Sequence, residues 1–158
     1  MRLRRNQVRV HRLTTNRKSH HPRLIIPISR PPTNSPKSAC HCLTCRKTSG
    51  VGFEIDIIIP PNDPKTTFSV ISGKPTDYVE TGGSGKQIIR HFCPTCHTLM
   101  YMTIEAAPGT VFISLGTVDD EEYLNSATPQ REIYTRSRLK FIEGWEAKGA
   151  QQMQTGSE

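Results

Sequence analysis

Apolar and polar residues alternate along this chain in short stretches, and no helical period persists between them. Residues 53–59, Phe-Glu-Ile-Asp-Ile-Ile-Ile, alternate through two acids and then run apolar into Pro60-Pro61. That pattern predicts a half-buried strand stopped by a turn. Residues 66–71 predict a second strand, closed at Ser72-Gly73. Residues 87–92 and 97–104 predict the arms of a β-hairpin, and residues 110–118, preceded by Pro108-Gly109, a further strand. Residues 119–125 predict one or two helical turns, and residues 133–134 and 139–142 short edge strands. Ser49-Gly50 is expected to turn the chain into the strand at 53. About six strands without a long helical period predict a mostly-β fold with short helical turns.

Upstream of Ser38 the pattern is lost. Residues 1–36 hold five prolines and little periodicity, so residues 1–37 are expected to stay disordered: they have too little apolar surface to offset the entropy of ordering. Charge divides at the same place. Ten Lys or Arg and no Asp or Glu fall in residues 1–39, leaving eleven basic against fourteen acidic side chains in the remainder, although the whole chain carries +7. Nucleic acid is therefore expected as a partner only through residues 1–37. That head has no interleaved aromatics to stack on bases, so contact there would be to phosphate alone. A domain is expected over residues 38–145 and a flexible tail over 146–158, with Trp145 packing the C-terminal segment.

The first apolar cluster, Leu24-Ile25-Ile26, is too short for a signal peptide, and no run is long enough to cross a bilayer. No membrane partner is expected. Five cysteines, an odd number without a leader, point to a reducing compartment. The cytoplasm is the expected location, with the mitochondrion and nucleus as alternatives; the many prolines of the Arg-rich head count against mitochondrial targeting.

All five cysteines sit in two short motifs, Cys40-His41-Cys42-Leu43-Thr44-Cys45 and Cys93-Pro94-Thr95-Cys96. Thiols this crowded suit a shared soft metal better than disulfides. Zinc would also reinforce a chain only 34% hydrophobic and 6% aromatic, since binding to a formed site adds to folding free energy. On an extended backbone Cys40 and Cys42 project to one face while His41 points away into the core or surface, and the Leu43-Thr44 turn returns Cys45 to the same ion. Three thiolates leave the fourth zinc position open, as in catalytic sites. Cys93-Pro94-Thr95-Cys96 reads as a zinc knuckle.

Cys-His-Cys-x-x-Cys-Arg-x-x-Ser-Gly, the later Arg-x-Phe-Cys-x-x-Cys and Leu-Gly-Thr-x-Asp-Asp resemble the glutathione-dependent formaldehyde-activating enzyme (GFA) family over about residues 39–143, a domain shared with centromere protein V. The resemblance implies an Mss4-like β-tent. It implies that Cys40, Cys42 and Cys45 hold a catalytic zinc and that Cys93 and Cys96 supply half of a structural zinc site. It also implies a carbon–sulfur lyase acting with a small-molecule thiol, glutathione, and formaldehyde, its product S-hydroxymethylglutathione. Family members begin with a strand carrying Gly-Ser-Cys-x-Cys-Gly, yet no cysteine precedes Cys40 here. The domain is thus expected to lack its N-terminal strands and the second zinc to be incomplete, with His11, His20 or His21 as unsupported substitutes. His97 stands where the family has Gly, a position expected to need positive φ; a zinc-ligand role for it is the lesser reading.

Other motifs carry less. Thr81-Gly82-Gly83-Ser84-Gly85-Lys86 fails the phosphate-loop pattern and reads as a hairpin loop near the zinc face. Lys86 or Arg90 there could meet substrate carboxylates, and Arg46 could pair with an anionic substrate or a surface carboxylate. Two other functions compete with the lyase. One is a non-catalytic Mss4-like zinc module in which Cys42, Cys45, Cys93 and Cys96 converge on one ion and Cys40 is spare. The other is a chromatin- or RNA-associated protein acting through the basic head.

Overall fold

A computed structural model of the chain describes residues 35–61, 68–70, 73–142 and 149–156, together with the backbone of 7–10 and 26–29. Strands β1 (Gln7–Val10) and β2 (Ile26–Ser29) pair antiparallel in a sheet of their own. Of the head expected to be disordered, residues 1–6, 11–25 and 30–34 lie outside the described residues, as do His11, His20, His21 and Trp145. Ser35 and Lys37, by contrast, are described and buried, and Lys37 opens the next strand. Next come β3 (Lys37–Cys40), α1 (Leu43–Ser49), β4 (Glu54–Ile59), β5 (Thr76–Thr81), β6 (Gln87–Phe92), β7 (Leu99–Ile104), β8 (Val111–Ser114), α2 (Glu121–Ser126), β9 (Arg131–Ile133) and β10 (Gln151–Gln152). The last eight strands make one sheet in the order β10-β9-β3-β4-β8-β7-β6-β5. The fold is mostly β, consistent with the Mss4-like class.

Pairing is antiparallel from β3 through to β5, while β9 runs parallel to both β3 and β10. Alternation along β4 then sorts the two faces. Ile57 stands beside Ile113, and Ile113 beside Tyr101. These three belong to the buried apolar core with Ile59, Met100, Val118 and Tyr123. The opposite face carries Cys40, Glu54, Asp56, Ser114, Met102 and Arg90, linked strand to strand by the same registers. Glu54, Asp56, Ser114 and Arg90 are all buried, so the sheet has one apolar and one polar interior face.

Several expected elements stand close to where the sequence places them: β4, β6, β7, β8 and α2. Others differ. Residues 139–142 are not a strand; Lys140–Ile142 is a 3-10 turn. β9 is not an edge, because β10 covers its outer side. Of residues 66–71 only 68–70 are described, and Phe68 makes an isolated bridge. β5 was unsignalled in sequence because it is almost wholly exposed and so lacks an apolar period. α1 was likewise unsignalled: seven residues with only Cys45 buried show no stripe.

Candidate metal centre

Cys40 closes β3, Cys42 is the N-cap of α1, and Cys45 lies in its first turn. Cys42 keeps an extended backbone (φ −63°, ψ 157°), and its Sγ accepts the Cys45 amide at 3.3 Å. That bond replaces the usual Ser or Asp cap and draws Cys45 toward Cys42. At the far end Gly50 adopts φ 72° and donates to the Arg46 carbonyl at 3.0 Å, so Ser49-Gly50 ends α1 and returns the chain to β4 as expected.

The three Sγ atoms all lie within 4.8 Å of one another. Zinc–sulfur bonds of about 2.3 Å in a tetrahedron set sulfurs about 3.8 Å apart. The cluster therefore fits a soft divalent ion in both donor type and spacing. Cys40 and Cys45 are buried while Cys42 is half-buried, so the cluster is approached from the Cys42 side. Within the cluster the thiols polarise one another. Hydrogen bonds from Cys40 and Cys45 hold the Cys42 thiol down at about 2; the same bond to Cys42 pushes Cys40 up to about 12, and bonding to Cys40 and Cys42 raises Cys45.

Arg90 is the cation behind the cluster. Its side chain is 1% exposed, its Nε donates to Glu80 at 2.6 Å, and its Nη1 lies 3.7 Å from Glu54. Its Nη2 reaches Cys45 Sγ at 3.9 Å. Burial works against its charge, but the Glu80 hydrogen bond and the Cys45 sulfur more than offset this and raise its pKa. Arg90 is thus committed inside the protein and does not face a substrate carboxylate, correcting the sequence expectation. Lys86 is engaged with Glu105 at 3.5 Å on the surface. Arg46 pairs with no carboxylate among the described residues, and its buried Nε lacks a hydrogen-bond partner.

His41 points away from the thiols, as alternation requires. It is fully buried, its Nε2 is 2.9 Å from Glu132, and Arg138 holds the same carboxylate at 2.7 Å. Its amide donates to the Ile133 carbonyl, prolonging the β3–β9 pairing past Cys40. The next residue, Tyr134, has φ 57°, costly for a side chain of that size. Burial raises its phenol, and the charges of Cys40, Cys42 and Cys45 add to the shift. The Gly82–Lys86 loop is the β5–β6 hairpin turn, and a Cβ on Gly83 would sit 3.9 Å from the Tyr134 hydroxyl. The loop does lie toward the thiol face.

Cys93 and Cys96 stand apart. The His97 amide donates to the Cys93 carbonyl at 2.9 Å, and His97 has φ 58°, the conformation expected for that position. Cys93 is packed into the apolar core, whereas Cys96 is exposed with its Sγ 3.2 Å from Thr98 Oγ1. Among the described residues no third ligand joins this pair, and it does not converge with Cys42 and Cys45. The single-ion arrangement with Cys40 spare is not the one formed, and His97 belongs to no ligand cluster among the described residues.

Glu54 escaped the sequence reading. It stands directly across from Cys40, accepts Ser114 Oγ at 2.7 Å, and its Oε2 has no hydrogen-bond partner. Burial raises its pKa, and raises that of Asp56 well above the usual range. The alternation that named the strand already set both acids on one face; which face met the cysteines depended on pairing.

Among the described residues no helix is long and apolar enough to cross a membrane. The model of the glutathione-dependent formaldehyde-activating enzyme family matches residues 27–137. No curated protein matches the chain.

Proposed function

The chain belongs to the glutathione-dependent formaldehyde-activating enzyme family, and from that premise we propose that Cys40, Cys42 and Cys45 bind zinc and serve a carbon–sulfur lyase. Its substrate is a small-thiol adduct such as S-hydroxymethylglutathione. The observation that carries the reading is the convergence of three sulfurs, one short of a closed tetrahedral set, on a buried scaffold. A bound zinc supplies a soft Lewis acid that lowers the pKa of a thiol it contacts.

The reaction conserves every atom. In the forming direction the thiol sulfur bonds to the carbonyl carbon of formaldehyde and the thiol proton ends on the oxygen. In the breaking direction the carbon–sulfur bond opens and the hydroxyl proton returns to sulfur. The protein's part is to hold the thiolates and restrict water. Arg90 places a fixed positive charge behind Cys45, and the Cys45 amide orients Cys42. Cys42, the least buried of the three, marks the side from which substrate enters. Cys93 and Cys96 are proposed as a half-site for a second, structural zinc.

The test is metal analysis with turnover of a formaldehyde–glutathione mixture. Wild-type protein should carry one tightly held zinc and release or consume formaldehyde. Cys42→Ala should lose both. A zinc-loaded wild type whose turnover is unchanged in Cys42→Ala sinks the reading.

A further inference from the structure

The three sulfurs belong to two elements. Cys40 ends β3, Cys42 caps α1, and Cys45 lies in the first turn of that helix. His41 is the one residue between the strand and the cap. The backbone torsions at His41 and its two neighbours set the angle at which α1 leaves β3. That angle sets how far Cys40 stands from Cys42 and Cys45. A metal tolerates little error there, since its bond lengths must hold within about 0.2 Å.

His41 is held by β9. Its amide donates to the Ile133 carbonyl at 3.0 Å, and its ring Nε2 is 2.9 Å from Glu132 Oε2. A carboxylate oxygen accepts, so Nε2 is the donor. Glu132 is the register partner of Ala39, which alternation sets on the same face as His41. Ring Nδ1 has no hydrogen-bond partner among the described residues, so Glu132 is the polar anchor of the ring there. Both side chains are 0% exposed. Water cannot take over the bond, and the low local dielectric strengthens it.

Glu132 is fixed in turn. Arg138 Nη2 donates to the same oxygen at 2.7 Å, and Gln152 Nε2 donates to Oε1 at 3.2 Å. The Met153 amide donates to the Glu132 carbonyl at 2.9 Å. Arg138, Gln152 and Met153 all lie past residue 137, where the family match ends. The support behind His41 is thus built from residues beyond the matched stretch.

We propose that Glu132 is a positioning residue for the metal centre. Through its bond to His41 it fixes the angle between β3 and α1, and with it the spacing of the Cys40, Cys42 and Cys45 sulfurs. It acts from the opposite face of the strand. The role rests on the zinc reading above.

Two substitutions that differ in reach test it. The amide nitrogen of His41→Gln falls near the place of Nε2 and can still donate to Glu132; that of His41→Asn falls one methylene short. Zinc affinity is measured by competition with a chromogenic chelator. Geometry is read from the d–d bands of the cobalt(II) protein, whose energies and intensities follow the ligand arrangement. His41→Asn should hold zinc about tenfold more weakly than wild type and shift the cobalt bands. His41→Gln should return both toward wild type. Glu132→Leu should match His41→Asn, and the double variant should be no weaker than either single one, because both remove the same bond.

A merely structural role lowers the urea midpoint of the metal-free protein and leaves zinc affinity and cobalt bands unchanged; that result overturns the proposal. Equal zinc affinities in His41→Asn and His41→Gln overturn it as well. Variants that fail to fold with zinc present do the same, since the pair would then maintain the fold and not the sulfur spacing. A wild type that binds neither ion removes the zinc reading and this role with it. A wild type that binds zinc, with variants that match it, removes the positioning role alone.

Discussion

Cys42 performs two tasks that separate by substitution: its sulfur caps α1 and belongs to the metal cluster. Cys42→Ser keeps an N-cap acceptor and removes the soft donor; Cys42→Ala removes both. Both variants should lose bound zinc by elemental analysis. In metal-free protein, Cys42→Ala should be less stable than Cys42→Ser by about 1 kcal/mol in urea titration. Equal stabilities would show that the cap is inert. Arg90 is the second residue that decides the site. Arg90→Met leaves Glu80 and Glu54 without their shared cation, and stability should fall by about 3–5 kcal/mol. The Arg-x-Phe-Cys run was legible in sequence, but the partners of Arg90 come from β4, β5, β7 and α1. No local pattern could show that its charge is spent internally.

At the scale of elements, α1 depends on its ends. Nothing lies within 4 Å of a Cβ built on Gly50, so Gly50→Ala is free of clash and pays only for φ 72°. The expected loss is about 1 kcal/mol, measured as a shift in denaturation midpoint. β4 sets a pH dependence. Burial raises the pKa of Asp56, so the folded state holds a proton that the unfolded chain releases near the ordinary value of 3.8. This group's contribution is therefore fully present below that value and is lost as pH rises through the folded one. Asp56→Asn should be more stable than wild type at about pH 8, and the gap should close toward about pH 4 in urea titrations. A gap that widens in acid would contradict the buried polar face. The β4 alternation was readable because one of its faces is apolar. β5 was not: exposed on both faces, it owes its strand to six register pairs with β6.

For the whole molecule the metal is expected to act on folding as well as chemistry. Its binding should be worth about 2.7 kcal/mol when free zinc is a hundred times the dissociation constant, and a chelator should remove that increment. Cys40→Ala should show no such increment, whereas Cys96→Ala, outside the cluster, should keep it. Calorimetric scans with and without zinc decide between these outcomes. The sequence alone determined the donor type, the grouping of three thiols within six residues and the mostly-β class, because short spacings and alternation are local properties of a chain. Tertiary structure decided which acids and which cation stand beside those thiols. Those neighbours arrive through pairings such as Cys40 with Glu54 and Cys40 with Ile133, between segments that no local spacing relates.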